Sequence, residues 1–191
     1  MLNTSFIRKY FPLSLVSMLL PTLLFSQIPA GYYDAAQDLS GSELKAALHG
    51  IVSDHVRYPY TSTSTDVWDI LKDTEEDPDN PDNVILLYTG RSQPKTANSG
   101  ESSDTESNLW NREHVWSKSH GFPDEIDTAY TDIHHLRAAD ESVNSSRNNL
   151  DFDNGGTAHV EATECYYDSD SWEPRDAVKG DIARAMFYMV V

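Results

Sequence analysis

Cys165 is the only cysteine in the 191 residues. No disulfide can close inside the chain, and no Cys-rich zinc site can form. The fold must therefore be held by its core, by a metal, or by both. The constraint sharpens because the N-terminus reads as secretory: Arg8 and Lys9, an apolar stretch from Phe11 to Phe25, then Ser26-Gln27. A transmembrane anchor is the competing reading. The run is short and broken by Pro12 and Pro21, so a signal peptide over 1–26 is expected, with the mature chain starting near Gln27. No second apolar run of spanning length follows. A composition of 39% hydrophobic and 24% charged residues fits one globular domain over 27–191 and excludes a collagen-like, coiled-coil or multipass membrane protein.

Ser40-Gly41-Ser42-Glu43 reads as a capping box, and Leu44, Ala47, Leu48, Ile51, Val52 and His55 recur at helical spacing, predicting a helix over 42–56. Val67 to Lys72 predicts a short second helix with Trp68 and Leu71 inward. The acidic run from Asp73 to Asn83 lacks the glycine and terminal glutamate of an EF-hand, and its two prolines and two asparagines read better as a tight surface turn. Residues 84–88 form an apolar run of strand length, and the polar stretch 91–107 reads as a loop. Val178, Ile182, Ala185, Met186 and Met189 predict a final helix over 174–191, entered at Pro174. It shows no C-cap signal, so the chain is expected to be cut inside it.

The chemistry gathers in three clusters: Asn111-Arg112-Glu113-His114-Val115-Trp116-Ser117-Lys118, then Asp132-Ile133-His134-His135-Leu136, then Val143-Asn144-Ser145-Ser146-Arg147-Asn148-Asn149. Taken singly, each reads as polar surface or a buried histidine. No His-Glu-x-x-His pattern is present, the inverted pattern fails at Trp110, and no Gly-x-Ser-x-Gly elbow supports a serine triad. Taken together, the clusters form a site. Glu113 and His114 are adjacent, so on a strand they point to opposite faces unless a twist or bulge intervenes. A strand from His134 to Ala138 can return beside the first. Asp140-Glu141-Ser142 can then open a helix carrying Asn144 and Arg147 on one face.

This ordered set, Asn111-Arg112-Glu113-His114, Asp132-Ile133-His134-His135-Leu136 and Val143-Asn144-x-x-Arg147-x-Asn149, resembles the bacterial endonuclease I family, as does the tail Lys179-Gly180-Asp181-Ile182-Ala183-Arg184-Ala185. The resemblance implies an α+β fold: a mainly helical single domain with a small antiparallel sheet and a ββα-metal (His-Me) finger at the active site. It implies His114 as the general base that activates water, with Glu113 and Asn144 holding one divalent ion, usually magnesium. Asn148 is the next amide to consider. The activity implied is metal-dependent, sequence-nonspecific hydrolysis of DNA, and of RNA as an alternative, leaving 5′-phosphates. A secreted or periplasmic monomer with a nucleic-acid substrate and no membrane in its mature form is expected.

Two departures stand out. His135 occupies a position where some members carry Asn. The longer insert that supplies a leaving-group arginine in better-known members is missing, which leaves Lys118, Arg137, Arg147 and Arg184 as candidates for that work; Arg147, beside Asn144, is the first choice. The net charge of −17 opposes a polyanionic substrate, although a local cleft can differ in sign from the whole chain. Two other classes remain: a calcium-stabilised surface or adhesion module without catalysis, and a glycosidase using paired carboxylates.

Overall fold

A computed structural model of the chain describes residues 28–100 and 108–191. The signal-peptide expectation over 1–26 lies outside these residues. None of the described helices is long and apolar enough to cross a membrane.

Helix α1, Gly41–Val52, follows Ser40. The expected capping box does not form there, since the Ser40 side chain makes no cap bond. Gly41 sits at φ +56°, which turns the chain out of helical geometry at the first position. The helix also stops at Val52 rather than continuing to 56, and none of its residues is buried. A capping box appears instead at α2, Val67–Thr74, where Asp66 accepts from the Trp68 and Asp69 amides and the Asp69 side chain accepts from the Asp66 amide. Val67, Trp68 and Leu71 bury the inner face of α2.

The acidic run resolves into strands β1, Glu76–Asp77, and β2, Asn80–Ile85, joined by a tight turn over Pro78-Asp79, where Asp77 accepts from the Asp79 amide. The strand expected at 84–88 thus begins earlier, and Leu86, Leu87 and Tyr88 continue past it as buried irregular chain. Part of the expected loop is strand β3, Ser92–Pro94, antiparallel to β2. It lies at a sheet edge, where a proline costs no ladder bond.

Strands β4, Trp110–His114, and β5, Leu136–Asp140, form an antiparallel pair in unbroken register, with Trp110 opposite Asp140 and His114 opposite Leu136. Helix α3, Glu141–Arg147, follows at once. Its N-cap residue Asp140 makes no side-chain cap bond because its carboxylate instead accepts from Thr89 Oγ1 and Arg91. A third sheet, not anticipated from sequence, contains β6 (Asp151–Phe152), β7 (Thr157–Ala158), β8 (Tyr166–Tyr167) and β9 (Ser171–Glu173), ordered β6-β9-β8-β7. Helix α4, Asp176–Val190, closes the chain and buries Val178, Ile182 and Ala185. With nine strands in three sheets beside four α-helices among the described residues, the architecture is mixed α/β and not mainly helical as expected.

The β4–β5 ribbon is covered on both faces. Trp110, Leu136 and Ala138 pack with Val67, Trp68 and Leu71, while Ala139 packs with Tyr88, Val143, Trp172 and Ile182. This double burial fixes the ribbon's register, since a one-residue slip would exchange its two faces.

Candidate active site

A cleft of about 450 Å³ runs along the free edge of β4, within the range of small-ligand sites. Among the described residues, the edge of β4 away from β5 is bridged by strand-like pairing only at Trp110, to Asn98, so four consecutive residues, 111–114, line one cleft. Glu113 and His114 do point to opposite faces, and no bulge interrupts the ladder. They meet because the cleft wraps the edge. Across it stands α3, whose side chains cover the open backbone: Asn144 Nδ2 donates to the Arg112 carbonyl at 3.5 Å, and Arg147 Nη1 donates to the His114 carbonyl at 3.1 Å.

His114 is 7% exposed, with its Nε2–H donating to the Tyr130 carbonyl at 2.9 Å. That bond fixes the neutral tautomer and leaves Nδ1 as the lone-pair nitrogen. Burial holds the imidazole well below its usual range, at about 3, helped by the neighbouring His135, Lys118 and Arg112 and opposed by the Tyr130 carbonyl. The ring is a proton acceptor throughout the neutral range.

Glu113 is 2% exposed. Its Oε1 accepts from the Tyr88 hydroxyl at 2.5 Å and lies 3.2 Å from Arg147 Nη1. Burial raises its pKa, and Arg147 and Tyr88 work against that rise. Asn144 Nδ2 donates to Asn111 Oδ1 at 2.6 Å, which turns its own Oδ1 away as an uncommitted acceptor. Among the described residues, no three His, Cys, Asp or Glu side chains are grouped to hold a metal. One carboxylate and one amide oxygen in a polar cleft match a hard cation that keeps several waters, the donor set of magnesium rather than zinc.

The remaining candidates separate. Arg147 is 2% exposed, and its fork is committed to Glu113 and to the carbonyls of His114, Val115 and Asn148. It is a strut between α3 and β4 rather than a group free to follow a leaving oxygen. Arg137 pairs with Glu75, and Arg184 pairs with Asp181 on the surface of α4; neither lines the cleft. Lys118 does, donating to the Tyr130 hydroxyl at 2.8 Å. So does Arg112, whose guanidinium is sandwiched 3.4 Å from the Tyr60 ring centroid and 4.0 Å from that of Trp68. His135 is fully buried and donates from Nε2 to the Ala129 carbonyl at 2.7 Å. The His114 and His135 rings are thus held by consecutive carbonyls of one 3-10 turn, Thr128–Thr131. His134 lies elsewhere, against Asp132 and Tyr188, and His120 sits near Asp151. Tyr88, Tyr60 and the Tyr130 carbonyl carried no sequence signal, because their roles depend on partners 16 to 54 positions away or more than one strand distant.

A family model described as Endonuclease I matches residues 40–191. The chain belongs to the endonuclease I family. Two curated relatives of this endonuclease I chain are extracellular ribonucleases. That of Bacillus subtilis (strain 168) is 51% identical over 178 residues, 93% of this chain and 58% of the relative. That of Bacillus amyloliquefaciens is 55% identical over 160 residues, 84% of this chain and 52% of the relative. The chain therefore spans little more than half the length of either. The charge objection also weakens at the cleft itself: of the described residues lining it, Arg112, Lys118 and Arg147 are basic and Glu113 is the one acid, in a chain of net charge −17.

Proposed function

We propose that this chain is the catalytic part of a secreted, divalent-metal-dependent endonuclease that hydrolyses phosphodiester bonds of RNA and DNA without sequence specificity. The observation that carries the reading is the pairing of a tautomer-fixed His114 with a carboxylate and a free amide oxygen along one strand edge. Strands β4 and β5 with α3 then serve as a ββα-metal finger. The basic lining of the cleft supports a phosphate-bearing substrate. RNA is included because the two relatives are named ribonucleases, and secretion because they are named extracellular and because 1–26 has a signal-peptide pattern.

Glu113 and Asn144 would hold the ion, magnesium by their donor chemistry. When bound, it supplies positive charge against the scissile phosphate and the departing oxygen. His114 Nδ1 takes the proton of the attacking water, which needs the neutral ring that burial enforces. The water oxygen bonds to phosphorus, the bond to the 3′-oxygen breaks with its electron pair leaving on that oxygen, which takes a proton from solvent water, and a 5′-phosphate and a 3′-hydroxyl result. Because water is the nucleophile, no 2′-hydroxyl is required, and both nucleic acids qualify. Tyr88 and Arg147 keep the Glu113 carboxylate in place, while Arg112 and Lys118 face the phosphates.

The test incubates the purified protein with RNA and with supercoiled plasmid, with magnesium or with EDTA, beside His114→Ala. Cleavage of both substrates is expected, with EDTA abolishing it and His114→Ala lowering it by about 10²–10⁴-fold while magnesium binding and circular dichroism are kept. Near-wild-type cleavage by His114→Ala would reject the assignment of the base. A protein that binds calcium without cutting either substrate would be the surface module instead.

A further inference from the structure

Asn148 occupies a backbone conformation that its side chain makes costly. Its φ of 51° and ψ of −118° place it at the first central position of a turn closed by the Leu150 amide on the Arg147 carbonyl at 3.1 Å. That is a type II′ turn, and the position belongs to glycine, because a Cβ there crowds the backbone. Asparagine tolerates positive φ best when its carboxamide bonds its own backbone nearby. Here the carboxamide makes no hydrogen bond to any described residue, and only the backbone of Asn148 is engaged, donating to Asn144 and accepting from Arg147.

The turn also takes Asn148 off the helix. The side chain is therefore not one turn beyond Asn144 on the same helix face; it is exposed at the C-cap of α3, in the lining of the cleft with Glu113, Asn144 and Lys118. A strained residue with an unpartnered polar group facing a site points to work at the site, since the fold gains nothing from it. The chemistry available is a neutral amide donor, which suits an anionic oxygen without adding charge beside the basic lining.

We infer that Asn148 is a substrate-contact residue whose Nδ2 donates to a phosphate oxygen of the nucleic-acid strand in the cleft. The inference rests on the nuclease reading of that cleft.

Asn148→Gly and Asn148→Ala test it. Glycine relaxes the turn and removes the amide; alanine removes the amide and keeps the strain. Asn148→Gly is expected to melt about 2–4 °C higher than wild type, and Asn148→Ala is not. Both should lose roughly tenfold in kcat/KM, carried by KM, on RNA and on plasmid. In a His114→Ala background, both should bind a fluorescein-labelled mixed-sequence single-stranded DNA roughly tenfold more weakly, with magnesium affinity unchanged. Asn148→Gly cleaving and binding like wild type would overturn the inference while leaving the nuclease reading intact. Lost magnesium affinity would overturn it by making Asn148 a metal-holding residue. A wild-type protein that neither cleaves nor binds would sink the nuclease reading and this inference with it.

Discussion

Replacing Asp132 by Asn should destabilise the protein by about 2 kcal/mol at pH 7 and slow cleavage as well. Asp132 is 5% exposed. Its Oδ1 accepts from the His134 amide at 3.0 Å and from His134 Nδ1 at 2.8 Å; its Oδ2 accepts from the Tyr188 hydroxyl at 2.8 Å and lies 3.5 Å from His55 Nε2. Burial alone would raise the carboxyl, but the bonds from His134 and Tyr188 and the nearby His55 outweigh it and hold the pKa at about 2, down from 3.8. A carboxylate with a depressed folded pKa contributes stability above its unfolded pKa and loses it as pH falls through the folded one. The contribution is therefore complete at pH 7, about half gone by pH 3, and absent below about pH 2. Urea unfolding of both proteins at pH 7 and pH 3 reads this directly: the gap between them should shrink by about half. Asp132 also ends the 3-10 turn whose Ala129 and Tyr130 carbonyls hold His135 and His114, so kcat should fall in the same variant. A gap under about 0.5 kcal/mol at pH 7, or one that stays constant to pH 3, would refute the reasoning.

Two other substitutions probe the support of Glu113. Tyr88→Phe removes a buried 2.5 Å bond to a carboxylate and should lower stability by about 1.5–3 kcal/mol in urea unfolding, with weaker magnesium binding by calorimetry. Arg147→Lys keeps the charge but not the fork that reaches Glu113 and the carbonyls of His114 and Val115, so a loss of about 3–5 kcal/mol is expected in the same unfolding assay.

The site's scaffold was legible because its signals are local. Glu113 and His114 sit together on β4 and Asn144 and Arg147 on α3, each pair with its own short-range pattern, and the structure brings them to one cleft. The strand expected at 134–138 lies two residues later, at Leu136–Asp140, since Asp132 and His134 are engaged with each other before the ladder begins. The capping box at Ser40 was a sequence match that Gly41 undid, whereas the box at Asp66 and Asp69 escaped notice because it uses two aspartates. The third sheet was invisible for another reason: β7 and β8 are two-residue strands with exposed side chains, too short for any alternation to show. The depressed pKa of His114 was equally hidden, because burial by Tyr60, Tyr130 and His135 is a property of the assembled loops and not of the motif.

The sandwich around Arg112 changes when its ordering cost falls due. A free arginine side chain loses up to about 2 kcal/mol of rotamer freedom when it is fixed on a ligand. Here the guanidinium is already stacked between Tyr60 and Trp68 and anchored through Nη1 to the Tyr60 carbonyl and to Thr61 Oγ1. That immobilisation is met during folding, so under the proposed nuclease function a phosphate at Arg112 would encounter a cation whose orientation is set, and little further entropy would be lost at that contact.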